Sequence, residues 1–445
     1  MEWTIDSASA ALRRGELSPL ELLTTCLERI DQYEPHVQAW VFVDREHARV
    51  QAESAAAELR QNRWRGPLHG VPIGIKDIVD VFDWPTAAGS RLWAQSVARQ
   101  DATVVRRLRQ AGAVLLGKTV TTQYASFDPP PTRNPWKPGR TPGGSSSGSA
   151  AAVACGMCLG AIGSQTGGSI TRPASYCGVA GCKPTFTRVS TAGVLPLAPS
   201  MDHVGPIAGC VRDLATLLQV IAGSDPHDPE CSNRVVPDYG LACCSPTPPR
   251  LGRLRGLFAE LAEPAMHKLL DRASQQFREQ GAAVSEVALP AGFAEVVPCH
   301  RTVMAVEAAA YHGVRLHRHP EDYAPKIRSL LQEGLACPAP EYARCKELQR
   351  QLSQEMLRCF EEVDALLTPA TTGPAPDRAT TGDPAFNSPW SFTGLPTVSL
   401  PAGRDADGLP LAIQLVGRPW GEAELLSVAA WCEQVLGLAK SSPPT

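Results

Sequence analysis

Two short stretches of glycine and serine hold the residues of this chain that are best suited to chemistry. Residues 141–149 read Thr-Pro-Gly-Gly-Ser-Ser-Ser-Gly-Ser, and Gly167-Gly168-Ser169 lies in the second stretch. Glycines allow backbone N–H groups to approach a ligand without hindrance from side chains, as the binding of an oxyanion requires. A flexible linker has a similar composition, but apolar residues directly follow the first stretch. The pattern favours a buried site with a serine nucleophile.

A lysine in an apolar setting could supply the base that such a serine needs. Residues 71–79, Val-Pro-Ile-Gly-Ile-Lys-Asp-Ile-Val, are rich in β-branched side chains and predict a buried strand that carries Lys76. Burial disfavours the ammonium form, so a lysine at this position can accept a proton. The neighbouring Asp77 either orients the base or is a satisfied polar group. Taken alone, Lys76 is more typical of a strand end that reaches solvent, and Ser169 of a turn.

Taken together, these motifs resemble the amidase signature family. The resemblance rests on residues 143–150, Gly167-Gly168-Ser169 and Gly74-Ile75-Lys76-Asp77, and the spacing from Lys76 to Ser169 is close to that of the malonamidase-like branch. Separated blocks in the same order extend it over nearly the whole chain, with the weakest likeness in residues 225–360. These further blocks are residues 68–72, 177–184, 202–206, 394–396 and 411–414.

The resemblance implies a catalytic role for each residue of a triad. Ser169 would attack the scissile carbonyl, and Ser145, on a cis peptide bond after Gly144, would pass the proton to Lys76. Ser146 and Ser147 would support this arrangement with hydrogen bonds. No cofactor and no metal ion is implied. The oxyanion hole would comprise Thr166, Gly167, Gly168 and Ser169.

Arg172 and Gly144 are the positions that the resemblance assigns to substrate binding. Many family members carry arginine two residues after the nucleophile, whereas this chain has Thr171 there and arginine one residue later. Malonamidase-like proteins share this arrangement, in which a guanidinium grips a substrate carboxylate through paired hydrogen bonds. The alternative is that Arg172 pairs with a protein acid and braces the loop. Gln165 stands where many family members have an aspartate. The way in which the loop around Ser169 is anchored is therefore left open.

Hydrophobic periodicity predicts the elements that position these residues. One expected helix begins at Ser18, and further helices are expected over residues 44–61, 104–111, 341–360 and 422–436. Strands are expected over residues 113–116, 363–367, 397–400 and 411–416. With the resemblance, this predicts an α/β amidase-signature fold whose mixed central sheet is covered by helices on both faces. A single domain, 1–445, would comprise N-terminal helices (1–62), a catalytic core (63–223), a variable, mostly helical insertion (224–361) and a C-terminal return to the sheet (362–445).

Composition excludes several other classes of protein. The chain has 43% hydrophobic residues, 20% charged residues and a net charge of −3, which gives no bias toward nucleic acid or an anionic membrane. Residues 143–171 are uncharged, but their apolar part is too short to span a bilayer. The N-terminus does not resemble a secretory signal. The 14 cysteines are therefore expected to be mostly free thiols of a cytoplasmic protein.

Three further patterns are discounted as sites. Residues 112–119 match the P-loop expression, but their apolar middle predicts a strand where a phosphate loop needs exposed N–H groups. The Cys155–Cys158 pair lies in an apolar run with no second pair at metal-site spacing, which favours helix packing. Three histidines, His69, His203 and His300, lack zinc-type spacing, so structural roles are favoured.

The sequence thus predicts an amidohydrolase that cleaves the C–N bond of small amides through an acyl-enzyme on Ser169. Amides that bear a carboxylate, such as malonamate-like acids held by Arg172, are one class of substrate that fits this prediction. Aryl amides, carbamates and esters are alternatives, as is a glutaminase-type subunit of a tRNA-dependent amidotransferase, which the position of Arg172 disfavours. A non-catalytic scaffold is the weakest alternative because all three triad positions are filled. The expected partner is a small amide, with no nucleic acid or membrane, and a homodimer is left open.

Overall fold

One mixed β-sheet runs through the computed structural model, which describes residues 3–437 and 443–444. Within these residues the sheet has eleven strands in the order β1-β3-β2-β4-β6-β5-β10-β11-β9-β7-β8. The strands are β1 Trp40–Val43, β2 Pro72–Lys76, β3 Val114–Thr119, β4 Gly160–Gln165, β5 Ala180–Lys183, β6 His203–Ala208, β7 Arg250–Leu254, β8 Ala283–Val287, β9 Ala365–Pro369, β10 Thr397–Arg404 and β11 Pro410–Val416.

Parallel pairs occur in two separate groups of this sheet, and antiparallel pairs lie between and beside them. Strand β2 runs parallel to both β3 and β4, and β7 runs parallel to both β8 and β9. The other pairs, from β4/β6 to β11/β9 and at the β1 edge, are antiparallel. The expected α/β fold with a mixed central sheet is confirmed.

Helices connect the strands and pack against the sheet. The helix expected at Ser18 is present, with Ser18 as its N-cap, Pro19 in its first turn and Glu21 completing the capping box. The helices are α1 Ile5–Arg14, α2 Pro19–Val37, α3 Arg45–Arg60, α4 Thr103–Gln110, α5 Ser147–Ala154, α6 Thr171–Cys177, α7 Val211–Ile221, α8 Tyr239–Ala242, α9 Leu257–Glu260, α10 Pro264–Glu279, α11 Val296–Arg318, α12 Pro325–Ala336, α13 Ala339–Glu355, α14 Ser388–Phe392 and α15 Glu422–Leu436.

Some expected elements differ from those observed. Residues 1–62 are not purely helical, because β1 forms one edge of the sheet. The mostly helical segment 224–361 also contains β7 and β8, which extend the sheet at its other edge. The strand expected over residues 71–79 ends at Lys76. The division into one domain with four parts remains a prediction.

The discounted motifs occupy ordinary structural positions. The predicted strand in the P-loop-like segment is β3, so Lys118 lies on a buried strand. Cys155 and Cys158 pack in the hydrophobic core as expected, but their location in a helix was wrong, because α5 ends at Ala154 and both buried thiols lie between α5 and β4. In the described residues no helix is long and apolar enough to cross a membrane.

Candidate active site

Parallel strands and a short helix bring the distant motifs together. Lys76 is the last residue of β2, which pairs in parallel with β4 through Ile75 and Ile162. Ser145 lies just before α5, and Ser169 lies in the loop from β4 to α6. Because the carboxyl ends of parallel strands meet at one edge of a sheet, the loops that follow them converge there.

The amine of Lys76 lies between two serine hydroxyls. Its Nζ atom is 2.7 Å from Ser145 Oγ and 2.8 Å from Ser164 Oγ, and the lysine is fully buried. Burial lowers the pKa of Lys76 well below its usual value, and the carboxylate of Asp202 opposes this only in part. The site therefore favours a neutral amine in contact with Ser145.

Hydrogen bonds of the backbone and of two serine side chains hold the segment that carries Ser145 in place. The Gly144–Ser145 peptide bond is cis, as the resemblance implies. Ser146 N–H donates to the Ser169 carbonyl at 3.2 Å, and Ser146 Oγ lies 3.2 Å from both the N–H and the carbonyl of Ser164. Ser147 Oγ donates to the Val120 carbonyl at 3.4 Å. These contacts tie the serine segment to the β4 loop.

Ser169 is the outermost of the three residues. It is 7% exposed, whereas Lys76 and Ser145 are fully buried. Within residues 3–437 and 443–444, no hydrogen bond joins Ser169 Oγ to Ser145 or to another residue. Catalytic hydrogen bonds are often long in a site without substrate and tighten when the substrate is bound. The structure brings Lys76 and Ser145 into contact and leaves the Ser169 hydroxyl free to meet a ligand.

The loop from Thr166 to Ser169 presents unused backbone donors. In the described part of the chain, the N–H groups of Gly167, Gly168 and Ser169 have no hydrogen-bond partner. Gln165 anchors the far side of the loop, where its Oε1 accepts from the N–H groups of Ile170 at 2.9 Å and Thr171 at 3.0 Å. An amide oxygen at position 165 therefore accepts the bonds that a carboxylate could also accept.

Arg172 lies fully buried beside the relay segment. Its Nη2 donates to the Gly144 carbonyl at 2.8 Å and lies 3.4 Å from Thr381 Oγ1. Its Nε and Nη1 atoms have no partner among the described residues, and no described carboxylate lies within ion-pair distance. Burial lowers the pKa of Arg172 from its ordinary value. One donor of Arg172 braces the loop, and two donor atoms remain for a ligand.

Several functional candidates were missed from the sequence. Ser164 contacts Lys76, Asp202 accepts a hydrogen bond from Thr166 Oγ1, and His300 Nε2 lies 2.8 Å from the Thr166 carbonyl. The signal that could have found Ser164 is its place directly before the loop that carries Ser169, at the end of β4. No sequence signal distinguished His300.

The other histidines make local contacts. His69 Nε2 lies 3.0 Å from the Ala55 carbonyl, and His203 Nδ1 lies 2.7 Å from the Met201 carbonyl. Among the described residues, no cluster of three or more histidine, cysteine or acidic side chains could hold a metal ion.

Comparisons with known proteins agree over almost the full length. A family model described as "Amidase" matches residues 21–426. "Putative amidase AmiD" of Mycobacterium bovis is 38% identical over 454 residues, covering 97% of this chain and 94% of that protein. A glutamyl-tRNA(Gln) amidotransferase subunit of Chloroflexus aggregans is 36% identical over 463 residues, covering 96% and 94%. A solved structure described as "An unexpected vestigial protein complex reveals the evolutionary origins of an s-triazine catabolic enzyme" has a TM-score of 0.93 and 30% identity, and covers 98% of this chain and 99% of that chain.

Proposed function

Because this chain belongs to the amidase signature family and is an amide-hydrolysing enzyme, we propose that it cleaves small amides through an acyl-enzyme on Ser169. The proposal gives Ser145 the role of proton relay and Lys76 that of base. The observation that carries it is the buried Lys76 amine, whose pKa is lowered and which lies 2.7 Å from Ser145 Oγ.

The proposed reaction starts with proton transfer along this line. Ser169 Oγ attacks the amide carbon, its proton passes to Ser145, and the proton of Ser145 passes to Lys76. The carbonyl oxygen becomes an oxyanion that the free N–H groups of the 166–169 loop stabilise. Collapse of this intermediate breaks the C–N bond, and Lys76 returns its proton through Ser145 to the leaving nitrogen. Water then attacks the acyl-serine by the same relay and releases a carboxylic acid.

The substrate class that we propose is a small amide with a carboxylate, such as malonamate. Arg172 supports this class, because its Nε and Nη1 have no partner and a buried donor without a partner costs about 1–3 kcal/mol. A substrate carboxylate would supply acceptors for these donors. The closeness to malonamidase-like proteins is part of this proposal, as are the oxyanion-hole residues Thr166, Gly167, Gly168 and Ser169 and the binding role of Gly144.

A second candidate is glutamine hydrolysis within a tRNA-dependent amidotransferase complex. The 36% identity to the glutamyl-tRNA(Gln) amidotransferase subunit favours it. Aryl amides, carbamates and esters also suit the same acyl-enzyme chemistry. A panel of malonamate, glutamine, aliphatic amides, aryl anilides and carbamates separates these candidates. Turnover of malonamate well above that of glutamine supports the first proposal, and the reverse order supports the second.

Substitution of the proposed nucleophile tests the chemistry. Ser169→Ala should reduce hydrolysis of the best panel substrate to a trace, because no other hydroxyl occupies its position. The matched control is Ser175→Ala, which removes a buried hydroxyl that donates to the Thr171 carbonyl on α6. If Ser169→Ala retains substantial activity while its melting temperature is unchanged, Ser169 is not the nucleophile.

Carboxylate recognition needs a separate comparison of acidic and neutral amides. Arg172→Ala should raise KM for malonamate far more than KM for a neutral amide of the same length. Thr381→Val is the control, because it removes a contact of Nη2 and leaves Nε and Nη1 in place. Equal losses on both amides in Arg172→Ala would show that the arginine only braces the loop.

A further inference from the structure

The carbonyl groups of the loop 166–168 are held by donors from three separate elements. His300 Nε2, on α11, lies 2.8 Å from the Thr166 carbonyl, and Ser391 Oγ, on α14, donates to the Gly167 carbonyl at 3.1 Å. The N–H of Arg172, in α6, donates to the Gly168 carbonyl at 2.9 Å. Each carbonyl of this loop therefore has a fixed direction.

Fixing a carbonyl also fixes the next N–H. In a planar trans peptide the C=O of one residue and the N–H of the following residue point in opposite directions. The bond from His300 to Thr166 thus sets the direction of the Gly167 N–H, and the bond from Ser391 to Gly167 sets that of the Gly168 N–H. These are the N–H groups that have no partner in the described residues.

The side of the loop 166–168 that carries the carbonyl groups is buried against the protein. A Cβ atom on Gly168 would lie 2.6 Å from Asn387 Oδ1, and one on Gly167 would lie 3.5 Å from His300 Cε1. His300 and Ser391 are 3% and 1% exposed. Since bulk solvent does not reach these buried donors, the carbonyls of Thr166 and Gly167 depend on their side-chain partners.

The protonation state of His300 suits this role. A carbonyl only accepts hydrogen bonds, so Nε2 must carry the proton and donate it. Burial lowers the pKa of His300 to about 4, and its bond to Thr166 opposes that shift. The imidazole is neutral at ordinary pH and adds no charge behind the loop.

Gln165 adds a link that an aspartate could not provide. Its Nε2 lies 3.4 Å from Ser391 Oγ. A carboxylate at this position would only accept hydrogen bonds, and it would compete with the Gly167 carbonyl for the hydroxyl proton of Ser391. The amide of Gln165 instead donates to Ser391 and leaves that proton directed at Gly167.

We propose that His300 and Ser391 are positioning residues that aim the N–H groups of Gly167 and Gly168 at the oxyanion of the transition state. This inference rests on the proposed function, since it assumes that an oxyanion forms against this loop. Both residues act through the backbone and contact no reacting atom. Interactions that stabilise only the transition state change kcat and leave KM nearly unchanged.

The test compares His300→Leu, His300→Gln and Ser391→Ala with matched controls. Glutamine can place a donor near the position of the histidine Nε2, whereas leucine cannot. The control His312→Leu removes a buried histidine from the same helix, where it contacts Tyr323 instead of the loop. The control Ser388→Ala removes a hydroxyl from α14 that donates to the Pro384 carbonyl.

Two readouts are measured for each variant. The first is kcat and KM for the best amide of the panel. The second is the rate at which a fluorophosphonate labels Ser169, a reaction that forms a P–O bond to the serine, expels fluoride and builds negative charge on the phosphoryl oxygen. The second readout needs no knowledge of the natural substrate.

We expect His300→Leu and Ser391→Ala to lower kcat and the labelling rate roughly 10- to 100-fold, less than the roughly 10²–10³ for loss of an oxyanion donor. KM should stay within about threefold, and His300→Gln should recover most of the loss. An equal loss in His312→Leu, a loss confined to KM, or no recovery with glutamine would overturn the inference.

The inference and the proposed function fail in different ways. If the fluorophosphonate labels wild type but also labels Ser169→Ala, the proposed nucleophile is wrong. If labelling depends on Ser169 but is unchanged in Ser391→Ala and His300→Leu, only the positioning role is wrong. Should His300→Leu fail to fold, Ser391→Ala decides, because it removes a single oxygen atom.

Discussion

At the scale of single residues, the protonation state of Lys76 sets the pH dependence of the reaction. Its pKa is lowered by burial, and the proposed base must be neutral. We therefore predict that kcat/KM falls as the pH drops through this pKa and levels off above it. Lys76→Arg should be inactive at every pH, since a guanidinium stays protonated.

A second buried lysine provides the control for this profile. Burial lowers the pKa of Lys183, on β5, to about 7, and its Nζ contacts the Pro184 carbonyl outside the site. Lys183→Met should leave the acid limb of the profile in place. A limb that disappears in Lys183→Met, or activity that rises as the pH falls, would contradict the assignment to Lys76.

The residue after the base forms a buried ion pair with the neighbouring strand. Asp77 Oδ1 lies 3.0 Å from Lys118 Nζ, and both side chains are almost fully buried. Loss of one partner leaves an uncompensated buried charge, so Asp77→Asn or Lys118→Met should cost about 3–5 kcal/mol of unfolding free energy. The double variant should cost less than the sum of the two. Additive losses in urea unfolding would show that the pair is not coupled.

At the scale of elements, close helix packing determines where the relay serine lies. A Cβ atom on Gly148, in α5, would lie 2.2 Å from the Ala39 carbonyl oxygen and 2.3 Å from Val120 N. Gly148→Ala must therefore displace the start of α5, with a loss of about 1–3 kcal/mol in stability and a marked loss in kcat. Gly139→Ala, where no atom lies within 4 Å of the added Cβ, should leave both unchanged. Equal effects of the two substitutions on melting temperature and kcat would refute the packing argument.

The sequence predicted elements best where composition and periodicity agree. Strand β11, with Leu411-Ala412-Ile413, and helix α15 lie close to their expected bounds. Strand β4, Gly-Ala-Ile-Gly-Ser-Gln, lacks the β-branched runs that mark strands, and only its place between two other strands makes it extended. Residues 202–206 were recognised as a motif, but the strand β6 that covers His203–Ala208 depends on pairing with β4.

At the scale of the whole molecule, the sequence could predict the motifs but not which parts of the chain meet behind them. The contact of Lys76 with Ser145 follows from a resemblance that spans both motifs. The contact of His300 with the Thr166 carbonyl joins α11 to the loop after β4, and no local pattern encodes it. Such long-range contacts depend on how the segment 224–361 packs on the core, where the resemblance is weakest.

The distribution of cysteines allows a test of the packing of the entire chain. None of the 14 cysteines forms a disulfide, and among the described residues ten of them are buried and Cys244 alone is exposed. Burial raises the pKa of Cys26 and of Cys155 to about 12, so these thiols resist attack because little thiolate forms. We predict that a thiol reagent modifies Cys244 first in the native protein and all 14 cysteines after denaturation without reductant. Cys244→Ser should remove the fast phase. Rapid reaction of most thiols in the native protein would mean that the sheet and its helices are far more open than described, and a deficit after denaturation would reveal a disulfide.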